Sequence, residues 1–260
     1  MSRTYGSYLR LPELLALQTP ASDGPEHDEM LFIVIHQIYE LWFKQQLHEA
    51  AHLQVLLERG EAGEAMATLR RMLTILKTMV AQIDVLETMT PVQFLSFRTF
   101  LENASGFQSW QFRALEFALG RKSPRFAAMH AAGSPERAEL DVRYQAPTVW
   151  DAFARFLQQR GCDVPASVLT RDVTQPVSPD PAMQDVLLAL YRQKAELRPL
   201  CEELVDLDEG IQEWRYRHVK MVERTIGFKT GTGGSGGAEY LRTTLFQPLF
   251  PDLWAIRTRL

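Results

Sequence analysis

The stretch Met30–Leu47, MLFIVIHQIYELWFKQQL, constrains this chain more than any other. It is apolar nearly all round the circumference of a helix, and a helix without a polar face has to be buried. Asp23 and Glu26 stand ahead of it at capping-box spacing, which predicts a helix from about Pro25 to Arg59. With 260 residues the chain can wrap such a helix in a large core.

The rest of the chain supplies the wrapping, and it reads as helix too. Met66, Leu69, Leu73, Leu76, Val80 and Ile83 mark a second long amphipathic helix. Thr90-Pro91-Val92-Gln93 is a cap with proline at the first helical position, opening a short helix that holds Phe94, Phe97, Arg98 and Leu101. Further helices are expected over Ser105–Gly120 and Thr148–Gly161, with 121–147 a mobile surface connection and 162–180 a proline-containing loop. Asp180-Pro181 starts a helix through Met183, Val186, Leu187, Leu190 and Leu197 that Pro199 interrupts. The leucine-, phenylalanine- and tryptophan-rich tail after Gly237 should dock on the core. The fold class is all-α, a bundle-like single domain over 1–260.

Composition removes several function classes. A chain 46% hydrophobic and 23% charged is an ordinary globular one. Its net charge of −4 leaves no electrostatic footprint for nucleic acid or an acidic membrane. The longest apolar run, Met30–Ile35, is far too short to span a bilayer, and the N-terminus lacks a signal-peptide pattern. Cys162 and Cys201 form no CxxC or CxxCH motif, which fits a reduced cytoplasmic chain without covalent haem attachment.

Four features carry chemistry. Ile211, Trp214, His218 and Val222 share one helical face, with Glu213, Arg215, Arg217, Lys220 and Glu223 on the other, and Gly227 ends that helix. A lone imidazole on an inward face is either a hydrogen-bonded core residue or a ligand. The loop Gly231–Gly237 that follows has no Lys-Ser/Thr pair of a phosphate loop, so it is a linker or a flap, with Thr232 and Ser235 its only side-chain donors. On the long helix, the run Phe32-Ile33-Val34-Ile35-His36 puts a ring and an imidazole four residues apart on one face. Arg98 lies beside Phe94, where a surface salt bridge is the plain alternative to a ligand contact. A literal zinc-protease spacing, His48-Glu49-Ala50-Ala51-His52, lies on a different face of that helix without the usual downstream extension, and a surface helix is the better account of it.

Five blocks carry a resemblance. They are TYGSYLRLPELL at Thr4–Leu15, HDEMLFIVIHQIYELWFKQ at His27–Gln45, FRTFLENASGFQSWQFRALEFALG at Phe97–Gly120, DEGIQEWRYRHVKMVERTIGFKTGTGGSGGAEYLR at Asp208–Arg242 and LFPDLWAIRTRL at Leu249–Leu260. In this order they resemble the tryptophan 2,3-dioxygenase family almost end to end, with little signature in 121–180. The resemblance implies an all-helical homotetramer, cytoplasmic, holding one haem b per subunit. It also implies that L-tryptophan and O2 are converted to N-formyl-L-kynurenine, the first step of tryptophan catabolism by the kynurenine pathway.

Matched residue by residue, the resemblance makes His218 the axial ligand of the haem iron and His36 a distal group that hydrogen-bonds the indole N–H. Phe32 and Phe94 pack on the indole, in a pocket to which Ile33, Val34 and Ile35 also belong. Arg98 pairs with the α-carboxylate, Thr232 in the 228–238 flap reaches the amino-acid head group, and Ser105 sits near haem and substrate. Tyr5, Tyr8 and Leu9, in an N-terminal segment over 1–20, line the neighbouring subunit's pocket. Phe94 departs from a frequent tyrosine and Trp110 from a typical leucine, which touches substrate preference and not haem ligation. An indole monooxygenase and a haem-binding sensor are the alternatives on the same scaffold.

Overall fold

The computed structural model describes residues 2–24, 26–232 and 237–260, and among them every regular element is helical. An N-terminal arm of α1 (Tyr5–Leu9) and α2 (Leu11–Leu14) precedes α3 (His27–Glu58), α4 (Ala62–Leu86), α5 (Pro91–Phe97) and α6 (Trp110–Ala118). Then come α7 (Pro124–Ala128), α8 (Pro135–Gln145), α9 (Val149–Gln159), α10 (Ala166–Leu169) and α11 (Pro181–Gln193). The order closes with α12 (Arg198–Ile226), α13 (Gly237–Arg242) and α14 (Pro251–Ala255). Short 3-10 turns fall at Arg98–Leu101, Gly106–Gln108, Ala195–Leu197 and Ile256–Arg259. Among the described residues no helix is long and apolar enough to cross a membrane.

The frame is α4 laid against both α3 and α12, with α6 and α9 on other parts of α3. Its seam is fully buried Leu53 and Leu57 from α3, Leu69, Met72, Leu76 and Met79 from α4, and Leu200 and Leu204 from α12. Each such side chain contributes about 1.5–3 kcal/mol by leaving water. Gly210 sets how closely α12 approaches α4: a Cβ there would lie 2.7 Å from Leu76 Cδ2 and 3.2 Å from Leu73 Cδ1. The C-terminal tail docks as its composition predicts, burying Leu249, Phe250, Leu253 and Ile256. Asp208 of α12 holds it, with Oδ2 accepting from Leu249 N at 2.8 Å and from Phe250 N and Trp254 Nε1, both at 2.9 Å.

Caps fall where local chemistry puts them. Thr90 with Gln93, and Thr148 with Asp151, close reciprocal capping boxes, and Gly227 ends α12 at φ 62°. The Asp23–Glu26 box does not form. The residue ahead of α3 is Glu26, with no side-chain cap, and its carboxylate accepts from Ser96 Oγ at 2.5 Å; Pro25 lies outside the described residues. Buried Glu29 binds the preceding chain instead, accepting from Ala21 N at 2.6 Å and Ser22 N at 3.1 Å.

Four expectations are corrected. α3 is not covered all round: Met30 and Leu41 are 41% and 52% exposed, and Val34 and Ile38 between them are half-buried, because none of the described elements covers that stripe fully. The segment 121–147 is not an unstructured connection but holds α7 and α8. Buried Lys122 caps the end of α8 through the carbonyls of Arg143, Tyr144 and Ala146 at 2.6–2.9 Å, a partnership across twenty-odd residues that no local pattern announces. Burial pushes the Lys122 ammonium down to about 8. Pro199 does not interrupt a helix. The break falls at Lys194–Leu197, and the proline sits in the first turn of α12, where a missing N–H costs nothing. Finally Arg215, placed on the polar face, is buried at 4% exposure.

Candidate active site

A cavity opens between α3, α5, α6, α12 and the segment leading into α13. Its walls are mostly apolar and aromatic, and two imidazoles face into it from different helices: His36 from α3 and His218 from α12. Sequence spacing left His218 as either core residue or ligand. The structure puts it on the cavity wall, its ring parallel to Trp214 one turn back (centroids 5.3 Å apart, 3° between planes). Among the described residues no hydrogen bond reaches the imidazole. Burial, with His36 and Arg113 nearby, pushes its pKa down to about 4, so the imidazole is neutral at pH 7 and its lone pair is free for an electrophile.

His36 is held differently. Its Nδ1 lies 2.7 Å from the Phe32 carbonyl oxygen, a contact that requires the proton on Nδ1 and leaves Nε2 as an acceptor. Burial lowers its pKa, against opposing effects of the Phe32 carbonyl and Glu40. His36 is therefore a neutral hydrogen-bond acceptor. Its ring lies 4.0 Å from that of Phe32, and Phe32, Phe94 and Phe97 stand 5.4–5.8 Å apart as an aromatic wall.

Arg98 opens the 3-10 turn after α5 and lines the cavity half-buried. The surface salt bridge does not form; among the described residues its only bond is from Nη2 to the Thr230 carbonyl at 2.6 Å. Thr232 Oγ1 donates to the Ala104 carbonyl at 2.6 Å, and Ser105 caps the adjoining turn. Gly231, Thr232 and Gly237 line the cavity. Gly237 has φ 58° and a Cβ on it would meet the Lys229 carbonyl oxygen at 2.7 Å, so only glycine fits the base of this loop. Residues 233–236, Ser235 among them, lie outside the described residues.

The structure thus brings together Phe32, His36, Phe94, Arg98, Ser105, Thr232 and His218. Ile33, Val34 and Ile35 are not on the cavity wall: Ile35 is in the core and the other two are half-buried, since only every third or fourth residue of a helix shares a face. Tyr5, Tyr8 and Leu9 stand on α1 at 75%, 69% and 41% exposure, away from this chain's own cavity. His48 and His52 are exposed, whereas Glu49 is buried and paired with Arg71 at 3.1 Å, so the three do not converge. Among the described residues no cluster of three or more His, Cys, Asp or Glu could hold a metal ion.

Sequence reasoning missed Arg113, Glu116 and Arg215, which line one side of the cavity. Glu116 and Arg215 meet across 99 positions, and an arginine among Phe112, Ala114 and Leu115 was the only signal available. The donor set suits a flat apolar cofactor such as haem: a neutral imidazole, aromatic walls and buried arginines on one side.

Comparison with known proteins gives one family. The family model described as tryptophan 2,3-dioxygenase matches residues 1–131 and 178–260. The tryptophan 2,3-dioxygenase of Herpetosiphon aurantiacus is 60% identical over 257 residues, covering 99% of this chain and 98% of that protein. Those of Anaeromyxobacter sp. (strain K) and Kineococcus radiotolerans are 59% and 45% identical, over 98% and 99% of this chain and 95% and 91% of their own lengths. The gap in the family match, 132–177, covers most of the stretch where the sequence carries little signature. Full-length identity at this level, on a helical fold with both histidines in one cavity, means that the chain belongs to the tryptophan 2,3-dioxygenase family.

Proposed function

We propose that this chain is a haem-dependent tryptophan 2,3-dioxygenase that inserts both atoms of O2 into the indole ring of L-tryptophan to give N-formyl-L-kynurenine. The dioxygenase activity rests on the relatives and the family match. The site assignment rests on one observation above all: His218 is neutral and unpartnered on the wall of the cavity that His36 also faces.

His218 would hold the haem b iron, and the haem, when bound, would supply the redox chemistry by which dioxygen is activated. The chain's own residues position the substrate. His36 Nε2, kept unprotonated by the Nδ1 contact with Phe32, accepts the indole N–H and orients the ring. Phe32 and Phe94 pack on the indole faces and exclude water. Arg98 presents its planar guanidinium to the α-carboxylate, and Thr232 stands beside it for the head group. Ser105 lines the wall near both, as do Gly231, Thr232 and Gly237 from the glycine-rich segment.

The same reading makes the protein a homotetramer in the cytoplasm, each subunit one domain. Gln18 Nε2 bonds Gln37 at 2.6 Å and Gln37 Nε2 bonds the Leu17 carbonyl at 3.1 Å, pinning the root of the arm to α3. Beyond that root Tyr5, Tyr8, Leu9, Leu14 and Leu15 are exposed, and so is the Met30–Leu41 stripe of α3. Apolar surface of this kind suits burial against other copies of the chain, with Tyr5, Tyr8 and Leu9 lining a neighbour's pocket. The two free thiols, Cys162 and Cys201, suit a reducing compartment.

The test is an absorption spectrum of the haem-loaded protein with and without L-tryptophan, followed by product mass under isotopically labelled O2. A tryptophan-dependent spectral change and two labelled oxygens in the product are expected. One labelled oxygen would make it an indole monooxygenase, and ligand binding without turnover would make it a sensor.

A further inference from the structure

The α6–α12 side of the cavity holds a charge imbalance that the substrate contacts above do not use. Glu116 Oε2 accepts from Arg113 Nη1 at 2.7 Å, while Oε1 accepts from Arg215 Nη2 at 2.9 Å and Arg121 Nη1 at 3.3 Å. Arg113, Glu116 and Arg215 are 6%, 3% and 4% exposed, and all three line the cavity. Burial pushes the Glu116 carboxyl up, but Arg113, Arg215 and Arg121 together hold it below the usual range, so it is ionised. Three guanidiniums therefore face one carboxylate.

The neighbouring acids do not close the gap. Asp208 lies toward Arg215 and offsets part of its charge, but its Oδ2 is filled by the tail's three N–H groups and its Oδ1 accepts from Gln212 at 3.1 Å. Glu40 of α3 is engaged with Gln111 Nε2 at 2.9 Å. The remaining positive charge sits on Arg113. Its guanidinium is fixed among three rings, with Cζ 4.2 Å from the Phe126 centroid, 4.8 Å from Phe107 and 5.3 Å from Phe112. Of its nitrogens, Nη1 is bonded to Glu116 and Nε is enclosed without a partner. Among the described residues Nη2 has no acceptor either, and the side chain opens onto the cavity. A buried cation is stable only with a counter-charge.

We propose that Arg113, braced through Glu116 against Arg215, is the anchor for a carboxylate of the ligand that fills this cavity, namely an acidic edge of the tetrapyrrole. This rests on the haem reading. It is a separate anion site from Arg98, which is tied to the flap at Thr230. The shared chemistry is a carboxylate against a rigid guanidinium, and the carboxylate of an amino acid is the other possible source.

The test compares protohaem with its dimethyl ester, which keeps iron and ring but carries no carboxylate, by Soret titration of apoprotein and by the rate of transfer to apomyoglobin. In the wild type, esterification should weaken binding roughly ten- to hundredfold, the range for one charge-assisted hydrogen bond. In Arg113→Gln the two tetrapyrroles should bind alike, and Arg113→Lys should recover part of the discrimination. Helical circular dichroism of each apoprotein checks folding, and the ester comparison on the wild type needs no variant. Wild type that binds haem and its ester equally overturns the inference while leaving the haem reading intact; wild type that gives no Soret band overturns that reading itself. If Arg113→Gln keeps the ester discrimination but weakens L-tryptophan binding, the site serves the amino acid and the inference is wrong.

Discussion

At the scale of residues, the two histidines of the cavity were legible, and the buried charges beside them were hidden. His218 and His36 stand out because an imidazole on an apolar face is unusual, and the cavity contains both. Arg113 and Arg215 were hidden, since an arginine looks solvated until its partner is known: Glu116 follows Arg113 by one turn of α6 but reaches Arg215 only across 99 positions, on another helix. Arg98 is free of any carboxylate among the described residues, so Arg98→Lys should raise the dissociation constant of L-tryptophan about tenfold or more by losing the bidentate fork. Tryptamine, which has no carboxylate, is the control: its affinity should not change, and an equal loss for both ligands would remove Arg98 from the carboxylate role. The depressed histidines also predict a pH dependence of the apoprotein. Folded His218 titrates near 4 and an unfolded imidazole near 6.5, so between those values the unfolded state binds more protons. Stability is full above 6.5 and falls with pH down to about 4, by about 3 kcal/mol from His218, with His36 acting in the same direction. Urea titrations of wild type and His218→Phe across that window check it, the variant being expected to show a shallower slope.

At the scale of elements, periodicity found α3, α4, α11 and α12 because each buries one long apolar face. It failed over 121–147, where α8 buries only Leu140 and owes its end to Lys122 rather than to a local cap. Pro199 misled for a related reason: proline is equally at home in a first turn and at a break, and only packing distinguishes them. The join between α12 and the tail is the element-scale contact most open to test. Asp208→Asn keeps the shape but replaces a carboxyl oxygen that accepts from three N–H groups by a neutral amide. It should lower the unfolding free energy by about 2–4 kcal/mol and increase proteolytic cleavage near 243–248. A melting curve unchanged from wild type would show that apolar burial alone holds the tail.

At the scale of the whole molecule, the apolar character of Met30–Leu47 was read as burial within one chain, and the exposed stripe shows what that reading left out. A sequence states that a surface is apolar; it does not state whether the cover comes from the same chain. With the arm pinned at Gln18 and its aromatic end exposed, deletion of residues 1–10 should preserve haem binding and greatly reduce tryptophan turnover. Mixing that truncated chain with full-length Arg98→Ala should restore part of the activity by completing one another's sites, and full activity of the truncated protein alone would refute a shared site. In the function proposed above, one neutral imidazole on α12, His218, would hold haem in this cavity. The direct measurement is the absorption spectrum of His218→Ala after haem loading, with and without added imidazole. Loss of the wild-type Soret band and of tight haem retention is expected, with partial recovery when free imidazole occupies the vacated space; a wild-type ferrous spectrum in the variant without imidazole would contradict haem binding through His218.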